Sequence, residues 1–399
     1  MRATKSIKQK IPQNHDLDSM MEIFRNMVNH CIKIGLKHNC STLKKLSILS
    51  YHDLDSQGLV TSYKLNTISQ ACGILAKHKK LIRKGKNPKI PHVTRPFLTN
   101  CYGFKINNSL MSIPYKPRQP INILLNDHTQ KILSDPTLTV RSFTMTGLNI
   151  SICVSKETEK IECTKIVGID RNLRNVTVGN DEKVIFYKTN KLLSIKQNTI
   201  FARAGFKRND HRKKLQYYKN LQQRLQNRTR QFLHKISKQI VGDALTNKTV
   251  IAFEDLKGIR KMYRKGNNQG NKYRKKLNGW QFYELQRQIE YKALWVGIPV
   301  VFVDPKRTSK LCPICGERIQ EDRQNRRKLL CINCGKSMDR DVIASMNIAH
   351  KAWSRFTHAR DDTGEATSEL FSRMMEPKSS CYGDVAIQIV DVSKCGWKG

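Results

Sequence analysis

The chain has 399 residues, of which 39% are hydrophobic and 26% charged, a balance that excludes a disordered tail and allows two or three domains with cores of their own. Lys and Arg number 73 against 32 Asp and Glu, a formal charge of +41 that is far beyond what solubility needs. Self-repulsion on that scale must be offset by a polyanion, which gives up its counterions as phosphates are neutralised, so nucleic-acid binding is the expected function class.

The first twenty residues hold no apolar core of the kind a signal peptide requires. The strongly apolar stretch Val296–Val303 is too short to cross a bilayer and contains Pro299. An intracellular setting without a membrane is therefore expected, and the twelve cysteines read as thiols or metal ligands before disulfides. From about 18 to 90 the pattern is helical, with apolar residues of MMEIFRNMVNHCIKIGL recurring every three or four positions. His30, Cys31, His38 and Cys40 lie near one another but lack paired-ligand spacing. Cys31, Cys40, Cys72, Cys101, Cys153 and Cys163 are isolated and read mostly as small buried side chains. The basic run KHKKLIRKGKNPK, 77–89, ends in helix breakers; without an acid among its charges, Lys79, Lys80 and Arg83 are candidate phosphate contacts. Short β-like runs follow from about 92 to 155, suggesting a small barrel with helices inserted.

A second domain begins near Thr164. Ile166, Val167 and Ile169 lead into Asp170, and Val176 and Val178 resume a strand across a tight turn. The long helical stretch from about 195 to 245 carries one apolar stripe, Leu215, Tyr218, Leu225, Phe232, Ile236 and Ile240, which reads as core. Its other surface carries Arg212, Lys213, Lys219, Arg224, Arg228 and Arg230, a candidate nucleic-acid track. TVIAFE then reads as a buried strand ending in Glu254 and Asp255. The Gly- and Asn-rich segment after it, with Arg260, Lys261, Arg264 and Lys265, has little to bury and is expected to be ordered by phosphate. A helix from Trp280 to Trp295 and the strand IPVVFV come next; beyond about 355 clear periodicity is lost.

Two CxxC pairs, Cys312/Cys315 and Cys331/Cys334, are separated by fifteen residues and each is followed by glycine. Four thiolates on two tight turns can close a tetrahedron around one Zn²⁺, and with no open coordination position that zinc is expected to be structural. Acids at strand and helix ends carry the catalytic case: Asp170, Glu254 and, opening a helix after the cysteines, Asp341. A single acid in such a place is usually a cap or turn residue. Three together repel one another unless a cation joins them, and hard Mg²⁺ ions take oxygen ligands. Two such cations serve phosphodiester hydrolysis.

GIDRNLRNVTVGN, IAFEDLKGI, WQFYELQRQIEYKALWVGIPVVFVDPKRTSKLCPICG and CGKSMDRDVIASMNIA together resemble, in order and spacing, the core of the TnpB family over about 164 to 352. The resemblance implies an α/β fold: an RNase H-like RuvC nuclease core at 164–354 with a four-cysteine zinc ribbon inserted at 308–338. It also implies a wedge-like β-barrel at 1–163 with a helical recognition lobe at about 18–90, which grip guide RNA, and leaves 355–399 as a C-terminal tail. It implies a Mg²⁺-dependent endonuclease, encoded by a prokaryotic transposable element, cytoplasmic and nucleoid-associated. Such an enzyme is guided by RNA from the element's own end and cuts double-stranded DNA, which would explain bulk charge without base-reading side chains. Carried over position by position, the acids are Asp170, Glu254 and Asp341, with Glu254 favoured over Asp255 by strand alternation and family pattern. Ile343 stands where the family has an asparagine, so a polar side chain is lost near the expected metal site. That departure favours the alternative of a binding-only relative. A compact type V CRISPR effector shares the same core, and a transposase or a non-catalytic zinc protein explains the acids less well.

Overall fold

The computed structural model describes all residues except 56–57, 206–210, 260–269, 279, 323–324, 326, 362–385 and 391–399. The chain divides into two compact units, Arg2–Glu157 and Thr158–Gly399 with Met1.

In the first unit, strand β1 (Arg2–Lys10) alternates, burying Ala3, Ile7 and Gln9 while Lys8 and Lys10 face outward. Helix α1 (His15–Lys37) begins at Asn14, whose side chain accepts the Asp16 N–H at 2.8 Å, and it ends at Lys37, so both ends suit the helix dipole. Its buried stripe, Met20, Phe24, Met27 and Cys31 among others, packs with α2 (Leu43–Ser50) and α3 (Ser62–Arg83), where Ile68, Ala71 and Leu75 are buried. The expected helical run is thus three helices. Strands β2 (Leu98–Asn100), β3 (Lys105–Asn107), β4 (Leu110–Lys116) and β5 (Gln119–Leu124) follow, then α4 (Asp127–Leu133), β6 (Thr139–Thr146) and β7 (Asn149–Glu157). They pair as two antiparallel ladders, β1-β7-β6-β2 and β3-β4-β5. No pairing among the described residues closes them into one barrel.

The second unit is built on a six-stranded sheet. Strands β8 (Lys165–Arg171), β9 (Asn175–Gly179) and β10 (Lys183–Lys188) form an antiparallel meander. Helices α5 (Asn190–Ala204) and α6 (His211–Thr246) then lead to β11 (Thr249–Glu254), which lies parallel beside β8. Helices α7 (Asn271–Asn278) and α8 (Phe282–Val296) precede β12 (Val300–Val303), parallel to β11. A three-stranded ribbon, β13 (Gln320–Glu321), β14 (Lys328–Leu330) and β15 (Ser337–Asp339), passes directly into α9 (Arg340–Asp361). The run beyond 355 continues α9 to Asp361 and supplies β16 (Ala386–Val390), parallel to β10, so the sheet order is β12-β11-β8-β9-β10-β16.

Phe232, Leu233, Ile236 and Ile240 of α6, Leu285 and Ile289 of α8, and Ile348 and Ala352 of α9 join the strands in one core. The stripe predicted along α6 is core only in its later half: Leu215 is 56% exposed, while Phe232, Ile236 and Ile240 are buried. Helix α9 crosses β8 so closely that a Cβ on Gly168 would lie 2.0 Å from the Ser345 carbonyl oxygen and 2.7 Å from the Ala349 nitrogen. Only glycine permits that approach, which sets α9 directly against β8 around Ser345 and Ala349. Among the described residues, no helix is long and apolar enough to cross a membrane.

Candidate functional site

Alternation along β8 puts Asp170 on the same face as Gly168, the face that α9 covers, and turns Arg171 to the other. The parallel register pairs Phe253 with Ile169, so Glu254 continues β11 level with Asp170. Adjacent strands lie about 4.8 Å apart, which makes the two carboxylates close neighbours. Asp255 N donates to the Val303 carbonyl at 2.8 Å, and its carboxylate pairs with Lys257 at 2.8 Å instead. Asp341 sits in the first turn of α9, 8% exposed. Asp339 plays the capping role one step earlier, accepting the Asp341 N–H at 2.8 Å.

The three acids therefore come from β8, β11 and α9, segments far apart in sequence. Asp170 is pushed up to about 7, first by burial, then by repulsion from Glu254 and Asp341; the Asn172 amide and the Arg171 charge act against the rise. Glu254 is raised by burial, opposed by a hydrogen bond from Thr308 and by the charges of Arg171 and Lys351. Arg171, 5% exposed, donates to the Glu254 carbonyl oxygen at 2.7 Å and to Gln286 Oε1 at 2.6 Å, and lies over the Phe253 ring at 5.0 Å. Burial lowers it to about 10, with Glu254 and Asp170 holding it up. A cluster of acids in which burial, then repulsion, retains a proton near neutrality is one that a divalent cation would relieve, and its oxygen donors suit Mg²⁺.

Uncharged donors and one arginine surround the acids, and sequence reasoning missed them. Asn172 Nδ2 donates to Asp170 Oδ2 at 2.6 Å, Asn175 Nδ2 to Asp341 Oδ2 at 2.9 Å, and Thr308 Oγ1 to Glu254 Oε1 at 2.5 Å. Arg327, immediately before β14, reaches Asp339 and the same Asp341 Oδ2. Asn347 of α9 donates to the Thr308 and Leu311 carbonyls, both at 2.8 Å, tying the segment before the ribbon to the helix. Ile343, where the resemblance implies an asparagine, is fully buried. The tight turn after Asp170 was the signal for Asn172 and Asn175; nothing local pointed to Thr308 or Arg327.

The cysteines form a separate centre. Their four Sγ atoms lie within 4.8 Å of one another, and among the described residues no other set of three or more possible ligands draws together as tightly. The Cys312–Cys334 and Cys315–Cys331 sulfurs are 3.6 and 3.4 Å apart. A Zn–S distance of about 2.3 Å in a tetrahedron requires roughly 3.8 Å, so the donors fit zinc. Each CxxC forms the same knuckle: Gly316 N–H donates to Cys312 O and Gly335 N–H to Cys331 O, both at 2.9 Å, with φ of +76° and +66°. Left-handed backbone at those two places explains the glycines.

Of the predicted nucleic-acid contacts, Lys80 and Arg83 are exposed at the end of α3, while Lys79 donates to the Asn39 carbonyl. Lys219, Arg224, Arg228 and Arg230 are exposed on α6, where Arg230 lies 3.6 Å from Glu284. The side chains of Arg212 and Lys213 lie outside the described residues, as do Arg260, Lys261, Arg264 and Lys265.

Comparison with known proteins adds independent findings. Residues 282–348 match the family model for the Cas12f1-like TNB domain. The TnpB-like protein MJ0751 of Methanocaldococcus jannaschii is 34% identical over 265 residues, 62% of this chain and 93% of that protein. The CRISPR-associated endodeoxyribonuclease Cas12f1 of Sulfoacidibacillus thermotolerans is 27% identical over 220 residues, 51% of this chain and 49% of the relative. The fold is similar to that of Cas12f1 in the cryo-EM structure of the Cas12f1-sgRNA-target DNA complex, with TM-score 0.59 and 16% identity over 84% of this chain and 81% of the other.

Proposed function

Because this chain belongs to the TnpB family, which is related to the type V effectors, we propose that it is an RNA-guided DNA endonuclease encoded by a transposable element, with Asp170, Glu254 and Asp341 as its RuvC carboxylates. The observation that carries this reading is the convergence of three acids from separate segments at one end of a sheet, where burial first and mutual repulsion second hold Asp170 near 7. The strand order supports an RNase H-like nuclease core: a three-stranded meander with two parallel strands added beside its first strand. Divalent cations, Mg²⁺ on the family's precedent, would supply an activated water and stabilise the leaving oxygen. Asp170, Glu254 and Asp341 would hold them, while Asn172, Asn175 and Thr308 keep one oxygen of each acid engaged. Cys312, Cys315, Cys331 and Cys334 would hold one structural Zn²⁺, with no position left for substrate. A guide RNA and a DNA target are the partners that the charge of +41 suits, and Cas12f1, which has a similar fold, was solved with both.

The test is plasmid cleavage by the protein co-purified with RNA transcribed from the 3′ flank of its own gene. Targets carry a matching sequence beside randomised bases. Cleavage that requires guide, Mg²⁺ and Asp170, lost by at least about 10³-fold in Asp170→Ala, is the expected result; that loss corresponds to about 4 kcal/mol of barrier. Guide-dependent binding without cleavage would replace the proposal with a DNA-occupying relative, and failure to retain RNA would remove the guided reading.

A further inference from the structure

The hairpin between β8 and β9 turns over Asn172, Leu173, Arg174 and Asn175, closed by the Asn172 N–H donating to the Asn175 carbonyl at 3.0 Å. The turn is pinned from outside: the Thr189 N–H donates to the Arg174 carbonyl at 2.9 Å, and Thr189 Oγ1 donates to the Leu173 carbonyl at 3.1 Å. Thr189 is fully buried, so the turn has little room to move. Its two end residues send their amides to different acids, Asn172 to Asp170 Oδ2 and Asn175 to Asp341 Oδ2. Each contact uses one oxygen of its acid. Arg327 falls on the same Asp341 oxygen that Asn175 uses, so neither donor takes Oδ1.

We infer that Asn172 and Asn175 are positioning residues: one rigid hairpin holds the first and third acids so that each presents its other oxygen to a shared divalent cation. The inference deepens the carboxylate-site reading and rests on it. A neutral amide suits the task. It restricts rotation of the carboxylate without adding to the positive charge that Arg327 already brings to Asp341 Oδ2, where a lysine would add a second competitor for the cation. Asp341 gains most from such help, because it is carried on α9 and no ladder of the sheet fixes it beside Asp170. The arrangement also answers the departure at Ile343: the third acid is supported from β9 by Asn175 and from the segment before β14 by Arg327, and α9 buries an apolar side chain at that position.

The test reads metal binding directly. Full-length protein, freed of nucleic acid in high salt, is titrated with Mn²⁺ and the free ion is followed by electron paramagnetic resonance. Binding is taken as the excess over Asp170→Ala. Asn175→Ala is expected to weaken Mn²⁺ binding by about tenfold or more, the usual size for groups that orient metal ligands, and Asn172→Ala to act in the same direction. Asn175→Gln, which restores an amide, is expected to regain part of the loss. Wild-type affinity in Asn175→Ala overturns the inference, as does a lower melting temperature with unchanged affinity in the folded fraction. Should Asn175→Ala not fold, Asn172→Ala and Asn175→Gln decide the matter by the same comparison. A wild-type protein that binds no more Mn²⁺ than Asp170→Ala is a different failure, since it removes the carboxylate site itself.

Discussion

The cysteine ribbon and the carboxylate site lie in one compact unit yet are built on opposite plans. All four thiols fall between Cys312 and Cys334, and each pair is shaped by its own knuckle with its own left-handed glycine. The carboxylates span Asp170 to Asp341 and meet only because the sheet register and the packing of α9 bring them together. The ribbon sulfurs already stand at distances that suit a tetrahedral ion, whereas the acids are spaced more loosely and hold Asp170 protonated toward neutrality. A closed, preformed ligand set favours permanent occupancy. A looser cluster of acids, kept oriented by amide and hydroxyl donors and one arginine, favours ions that must also admit a substrate.

If the two centres are independent in assembly, each can be broken without the other. The largest effect is expected from Cys331→Ser: zinc content measured by mass spectrometry falls from one per chain to none, and stability drops by about 3 kcal/mol or more, the scale of losing a structural metal. Asp170→Ala should leave zinc content untouched. Zinc lost in Asp170→Ala would show that the centres are one cooperative structure. Next comes Gly168→Ala. Its added methyl meets the backbone of α9, so a cost of about 2–3 kcal/mol and a displaced Asp341 are expected. Weaker Mn²⁺ binding with normal zinc content would mark the damage as confined to the carboxylate site.

The same contrast governs what could be read from the sequence. CxxC spacing is chemistry written locally, so the ribbon was legible residue by residue. Buried runs ending in Asp170 and Glu254 were legible as strands because their apolar residues are consecutive, and alternation together with the family pattern favoured Glu254 over Asp255. What sequence could not supply was the cross-chain geometry: Thr308 reaching Glu254 and Arg327 reaching Asp341 follow from long-range packing with no local pattern. Strand β1 was missed although Ala3, Ile7 and Gln9 do alternate, because its lysine-rich outer face masks a weak apolar signal. Strand β16 was missed because five residues, AIQIV, are too few to show a period, and it gains order from pairing with β10. The α6 stripe was over-read, since helical spacing alone does not say where the core ends.

A smaller effect separates charge from geometry within the carboxylate site. In chelator, the folded protein holds the Asp170 proton to about pH 7, whereas the unfolded chain releases it near 3.8. The metal-free fold therefore loses stability as pH rises between those values, and the loss is complete above 7. Asp170→Asn removes the titrating group but keeps the shape. It is expected to stabilise the metal-free protein at pH 8 by on the order of 1–3 kcal/mol and to leave it nearly unchanged at pH 4. Equal melting curves at pH 8 would mean that Asp170 does not burden the fold as its burial and the neighbouring acids require.

The smallest expected effect makes the sharpest control. Asp255 adjoins Glu254, carries the same charge, and pairs with the exposed Lys257 at 2.8 Å. Its carboxylate is held below the ordinary range, first by the hydrogen bond from Lys257, and it belongs to the open surface. An exposed ion pair contributes little, so Asp255→Asn should change cleavage by less than about threefold and leave Mn²⁺ binding unaltered. Glu254→Gln, one residue earlier, should abolish both. Were the two variants to behave alike, proximity in sequence would matter more than the face of the strand. The register that puts Glu254 level with Asp170 would then lose its meaning as the element that assembles the site.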